Sequence, residues 1–202
     1  MTKLVFGRKK NTRDVRKRLL IVCEGEKTEP NYFKAFVVPP ELVVVVDGAG
    51  CETIRVVERA VELREEAIRK EKPFDEIWCV FDRDNFPAQN FNEAIAKAER
   101  LEIKVAYSIE AFEIWYLLHF HYYNTGISRD DYKIKLTALL GRVYRKNDKA
   151  MYELLQDKID IAIKNAQNLR VKQETSEEIL YNRNPVTTVD LLVVALRSYR
   201  KP

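Results

Sequence analysis

The chain has 202 residues, 46% of them hydrophobic, with only six glycines and seven prolines; it can bury a real core as one domain and lacks the bias of a disordered or fibrous chain. Lys and Arg number 35 against 31 Asp and Glu, so the net charge of +4 does not by itself mark a nucleic-acid binder. No run of about 18 apolar residues exists and the basic N-terminus leads into no apolar signal core, so no membrane span is expected and the cytoplasm is the expected compartment.

In chain order, residues 1–18 form a basic arm that holds Lys3, Arg8, Lys9, Lys10, Arg13, Arg16, Lys17 and Arg18 against Asp14. Such an arm can neutralise phosphates, or it can be a solvated tail. Leu19 to Cys23 is continuously apolar and ends in Glu24-Gly25, which predicts a central strand buried on both faces. Glu29 to Phe36 has helical spacing with Pro30 in its first turn. Leu42 to Val46 is a run of β-formers stopped by Asp47-Gly48-Ala49-Gly50, and Thr53 to Lys70 carries a helical apolar stripe.

Glu76 to Phe81 predicts a further strand that ends directly in Asp82-Arg83-Asp84, followed by a helix over Asn90 to Arg100 and a strand over Ile103 to Tyr107. This alternation predicts an α/β fold with a mainly parallel central sheet flanked by helices, in which ligands sit beyond the carboxyl ends of the strands. Helices are then expected over Phe112 to Tyr123, Asp130 to Arg142, Lys149 to Arg170 and Val186 to Ser198. The expected organisation is a basic arm over 1–18, an α/β core over 19–123, and a C-terminal helical extension over 124–202 packed on that core. Cys23, Cys51 and Cys79 are odd in number and lack metal-ligand spacing, which makes them reduced thiols, the first and last buried in strands.

Three acidic elements fall at the strand ends. Glu24 follows a buried strand, with Glu29 entering the next helix; oxygen donors on rigid element ends suit a hard divalent cation, though Glu29 also suits a helix N-terminus. Asp82 and Asp84 leave another strand one residue apart, and crowded like charges there are relieved by a bound dication. Glu113 lies among Phe112, Trp115 and Tyr116, a costly place for a carboxylate without a partner. His119 and His121 are the only histidines; His119, in an apolar run, reads as a core or cleft residue before it reads as an acid–base catalyst.

Val22-Cys23-Glu24-Gly25-Glu26-Lys27-Thr28-Glu29-Pro30-Asn31-Tyr32-Phe33, then Phe81-Asp82-Arg83-Asp84, then Phe112-Glu113-x-Trp115-x-Leu117-Leu118-His119-Phe120, and Asn184-Pro185-x-Thr187-Thr188-Val189 together resemble the RloB-like family over almost the whole chain. That family looks like a TOPRIM relative, similar to the nuclease half of OLD-type enzymes. The resemblance implies Mg²⁺ or Mn²⁺, as one or two ions, on Glu24, Asp82 and Asp84, with Glu29 and Glu113 as second-ion ligands. Around Ile109-Glu110-Ala111 the chain departs from the family pattern, which leaves a role for Glu110 open.

The resemblance further implies a nuclease in defence against phage or plasmids, beside an ATPase encoded in the same operon. Cations for the transition state are sought in Lys27, Arg83 and Lys164, and Lys9, Lys10, Arg13, Lys27 and Arg83 are expected contacts to DNA or RNA. Two other readings stand beside the nuclease: a non-catalytic nucleic-acid-binding or scaffold module, and a nucleotidyl or phosphoryl transferase. Oligomeric state is not legible.

Overall fold

The computed structural model describes residues 16–83, 88–174, 180 and 183–199. The basic arm through residue 15, with Lys9, Lys10 and Arg13, lies outside the described residues, as does Asp84.

The protein is built on a five-stranded sheet of order β2-β1-β3-β4-β5, from β1 (Lys17–Cys23), β2 (Leu42–Gly48), β3 (Glu76–Asp82), β4 (Lys104–Ile109) and β5 (Val186–Thr187). The first four strands are parallel, and β5 pairs antiparallel with β4. The parallel strands are linked by α1 (Thr28–Ala35), α2 (Thr53–Arg69) and α3 (Ala88–Arg100), as their alternation with helical stripes requires. β1 begins at Lys17, so the last two cations assigned to the arm belong to the sheet; Lys17 pairs with Asp75 at 2.8 Å.

Leu19 to Cys23 are fully buried because this central strand is covered on both sides. Period-two alternation sends Leu19, Ile21 and Cys23 to one face with Trp78 and Val80, and Leu20 and Val22 to the other with Ile77, Cys79 and Phe81. The second face is closed by α2, through Val56, Val57 and Ala60, and by α3, through Phe91, Ala94 and Ala98. The first face carries α1 and the helices that follow β4: α4 (Glu113–Leu118), α5 (Arg129–Leu140), α6 (Met151–Leu155), α7 (Ile159–Glu174) and α8 (Val189–Ser198).

Residues beyond 123 share one core with the sheet. Tyr132, Leu136, Leu155, Ala162, Ala166, Leu169 and Leu192 are fully buried in the same cluster as Leu19 and Ile21. Each side chain of the Leu or Ile size sealed in this way stabilises the fold by about 1.5–3 kcal/mol.

Several helix limits differ from the sequence expectation. The helix from Phe112 stops at Leu118, where the backbone tightens into three-residue turns (Phe120 N–H to Leu117 O, 2.9 Å). The single helix expected over Lys149 to Arg170 is two, divided by a 3-10 turn at the polar Gln156–Lys158. The last helix begins at Val189, three residues late, because Val186 and Thr187 pair with Ile109 and Ser108. Val186 and Thr187 are β-branched, which favours that extended start. α5 is bounded by clear chemistry: Ser128 and Asp131 form a reciprocal capping box, and Gly141 ends the helix at φ 65°.

All three cysteines are free, Cys51 being half-buried; burial pushes the Cys79 thiol up to about 12. Among the described residues no helix is long and apolar enough to cross a membrane.

Candidate functional site

The carboxyl ends of β1 and β3 open into a cavity of ≈ 320 Å³ lined by Glu24, Gly25, Glu26, Lys27, Thr28, Glu29, Asp82, Phe112, Glu113, Arg129 and Lys146. Four carboxylates read from the sequence, Glu24, Glu29, Asp82 and Glu113, therefore meet at one place. They arrive from four elements: the β1 exit, the first turn of α1, the end of β3 and the first residue of α4.

Glu24 is the best-fastened of the four. Its backbone N–H donates to Val80 O at 2.8 Å, its Oε2 accepts the Asp82 backbone N–H at 3.0 Å, and its Oε1 accepts the Thr53 hydroxyl at 2.9 Å. The carboxylate thus bridges β1 and β3 and is steadied by the first residue of α2. Gly25 makes room for its neighbour, because a Cβ there would overlap Glu29 Oε2 and meet its other carboxylate oxygen at 3.1 Å. The glycine of the Glu-Gly-Glu turn is therefore explained by the close approach of Glu29.

Glu29 and Glu113 are buried, at 5% and 4% exposure, and Asp82 has one carboxylate oxygen, Oδ1, sealed from solvent without a hydrogen-bond partner. Burial raises the Glu29 carboxyl to about 7, with Glu113 and Glu24 adding repulsion. The Asp82 carboxyl is held well above its ordinary value, first by burial and then by Glu29, Glu113 and Glu24. Glu113 has partners: the Tyr144 hydroxyl donates to its Oε1 at 3.0 Å, and Lys146 Nζ stands 3.9 Å away.

Among the described residues no three Asp, Glu, His or Cys side chains converge into a ready metal-binding group. The donor set still suits a hard dication: all oxygen, on rigid element ends, with a sealed Asp82 oxygen that has no partner.

The cations divide differently from the sequence expectation. Lys27 lines the cavity and is exposed. Arg83 points elsewhere, 3.7 Å from Glu110 Oε2, which gives Glu110 a partner outside the cavity lining. Lys164, also sought as a transition-state cation, is an exposed residue of α7 and does not line the cavity. The cavity instead takes Arg129 and Lys146 from the C-terminal extension. His119 is fully buried, its Nδ1 2.8 Å from Trp115 O, and burial lowers its pKa to about 4; it is a core residue away from the cavity. Tyr116 packs edge-on against Phe112 and Tyr144, as helix packing rather than base stacking.

Thr53, Arg129, Tyr144 and Lys146 escaped the sequence reading. Thr53 had a usable signal, since it opens the helix after a strand exit and so lies at the ligand end of the sheet. The other three had none: Lys146 reaches the site through its carbonyl, which accepts the Thr28 hydroxyl at 3.1 Å across 118 residues of chain.

Fold and cavity define an α/β protein with a carboxylate-lined site at the carboxyl ends of a mainly parallel sheet. A family model described as RloB-like protein matches residues 19–196, and the chain belongs to that family. No curated protein and no solved structure matched it.

Proposed function

We propose that this RloB-like protein is a Mg²⁺- or Mn²⁺-dependent nuclease of TOPRIM type that hydrolyses a phosphodiester bond in DNA or RNA. The observation that carries the reading is the sealed, partnerless Asp82 Oδ1 beside Glu24 and the buried Glu29 and Glu113, an arrangement that costs stability unless a cation answers it. Glu24 and Asp82 hold the first ion in this reading, with Glu29 and Glu113 for a second; Asp84 is a further ligand candidate outside the described residues. A bound dication lowers the pKa of an attacking water and neutralises charge on the phosphate and leaving oxygen.

The chain's own contribution is positional. Thr53 and the Asp82 N–H keep Glu24 in one orientation, so its remaining lone pairs face the cavity. Tyr144 does the same for Glu113. Lys27, Arg129 and Lys146 place positive charge around the carboxylates, where a phosphate anion would otherwise be repelled. A cytoplasmic role in phage or plasmid defence, with an ATPase partner, belongs to the same proposal and is supported by the family membership.

The test is incubation of purified protein with plasmid DNA and with total tRNA, with and without Mg²⁺ or Mn²⁺, beside Asp82→Asn. Metal-dependent cleavage is expected, reduced by about two orders of magnitude or more in the variant. Mn²⁺ uptake is measured alongside, since a partner-gated enzyme still binds the ion. Equal Mn²⁺ uptake by wild type and variant, or none by either, overturns the metal site; nucleic-acid binding without any cleavage would leave the binding module.

A further inference from the structure

Beside the acidic cavity lies a second and larger one, of ≈ 630 Å³, which shares Glu113, Arg129 and Lys146 with it. One wall is the start of α5, with Arg129 and Lys133; the other is the segment after Gly141, with Val143, Arg145 and Lys146. Its charge is the reverse of its neighbour's. Four cations, Arg129, Lys133, Arg145 and Lys146, stand against the carboxylates of Glu113 and Asp130. Lys133 and Arg145 are exposed, and neither forms an ion pair among the described residues, so their charge is available to a ligand.

The segment that carries these charges is fastened in place. Tyr144 is buried and reaches Glu113; its backbone N–H donates to Thr137 Oγ1 at 3.1 Å. The Lys146 and Asn147 carbonyls accept from Thr28 and Asn31 of α1, and Arg142 pairs with Asp148. The wall is therefore tied to the helices that bear Glu29 and Glu113, which keeps basic groove and acidic cavity in register.

We propose that this groove holds the phosphates of an unpaired nucleic-acid strand and leads the strand over the acidic cavity. The inference rests on the nuclease reading for what happens at the cavity, but the groove's own claim is binding. Cations on two facing walls suit a backbone that passes between them, whereas a duplex presents its phosphates to one face at a time. Val143, 62% exposed on the second wall, offers an apolar surface to a sugar or base. The shared Arg129 and Lys146 then stand where strand and carboxylates meet.

The test compares the wild type with Lys133→Ala/Arg145→Ala, and with Arg69→Ala/Lys70→Ala as a charge-matched control at the far end of α2. Fluorescein-labelled single-stranded oligonucleotides, as DNA and as RNA, and the matching duplex are titrated over a range of salt, in EDTA and again in Ca²⁺. The groove variant is expected to bind single strands at least tenfold more weakly, with the salt slope of log affinity shallower by about 1.4 for two lost phosphate contacts; the control should keep wild-type affinity and slope. DNA and RNA arms tell which strand is preferred. Wild-type affinity in the groove variant, an equal loss in the control, tighter binding to duplex, or no binding by the wild type in either condition each overturns the groove. If the groove variant loses binding while the wild type neither cleaves nor takes up Mn²⁺, the groove stands and the nuclease reading falls.

Discussion

Asp82 and Asp190 are both aspartates in the sheet-facing interior, and they illustrate two ways of keeping a charge there. Asp190, fully buried near the start of α8, is paired with Arg170 of α7, which also donates to Thr187 O at 3.3 Å. Burial raises the Asp190 carboxyl while the guanidinium opposes that shift. Asp82 has Glu29, Glu113 and Glu24 for neighbours, and all three add to the effect of burial. The first arrangement closes a helix pair onto β5; the second leaves an acidic cavity whose carboxylates repel one another. The two carboxylates thus differ in what stands opposite them: a guanidinium beside Asp190, other carboxylates beside Asp82.

The largest expected effect breaks the structural side of this contrast. Arg170→Met leaves Asp190 buried and uncompensated, and denaturant unfolding should show a loss of about 3–5 kcal/mol; Arg170→Met/Asp190→Leu should recover much of it. A loss below about 1 kcal/mol in the single variant would show that the pair carries little of the packing between α7 and α8.

The acidic side should behave in the opposite way. A Glu29 carboxyl raised from 4.5 to about 7 binds its proton more tightly in the folded state, so it favours folding below pH 4.5 and that contribution is lost as pH rises through 7. Metal-free Glu29→Gln should therefore be more stable than the wild type at pH 8, by on the order of 1–3 kcal/mol, with the difference vanishing near pH 4. Thermal melts in EDTA across that range measure it, and a wild type more stable than Glu29→Gln at pH 8 would contradict the electrostatic account. Mg²⁺ should narrow the gap by stabilising the wild type more than Glu29→Gln, which lacks one ligand of the second ion.

The smallest effect probes orientation rather than charge. Thr53→Ala removes the hydroxyl that holds Glu24 Oε1, and Mn²⁺ affinity should fall about tenfold, while stability changes by no more than about 1 kcal/mol. Unchanged affinity would mean that the Asp82 N–H alone is enough to position Glu24.

Much of the α/β half was legible. Continuous apolar runs at Leu19 to Cys23 and Ile77 to Phe81 read as strands covered on both faces, and each is followed by a carboxylate that lines the cavity. Glu29 and Glu113 were legible as acidic residues on helix starts near those ends. The C-terminal half was less so. Lys149 to Arg170 keeps helical periodicity across Gln156–Lys158, and nothing in that pattern announces the 3-10 break. The two residues of β5 pair only because β4 offers an edge to them.

Local pattern by itself determined the α/β class, the parallel order of strand and helix, and the acidic residues Glu24 and Asp82 at strand exits and Glu29 and Glu113 at helix starts, because periodicity and element-end chemistry act over a few residues. Only the tertiary structure decided that Thr53 would steady Glu24, that Arg129, Tyr144 and Lys146 would close the site, and that Lys164 and Arg83 would stand outside it. Those contacts join residues far apart along the chain, and their geometry depends on how α5 and the segment after Gly141 pack across α1 and α4, which no local spacing encodes.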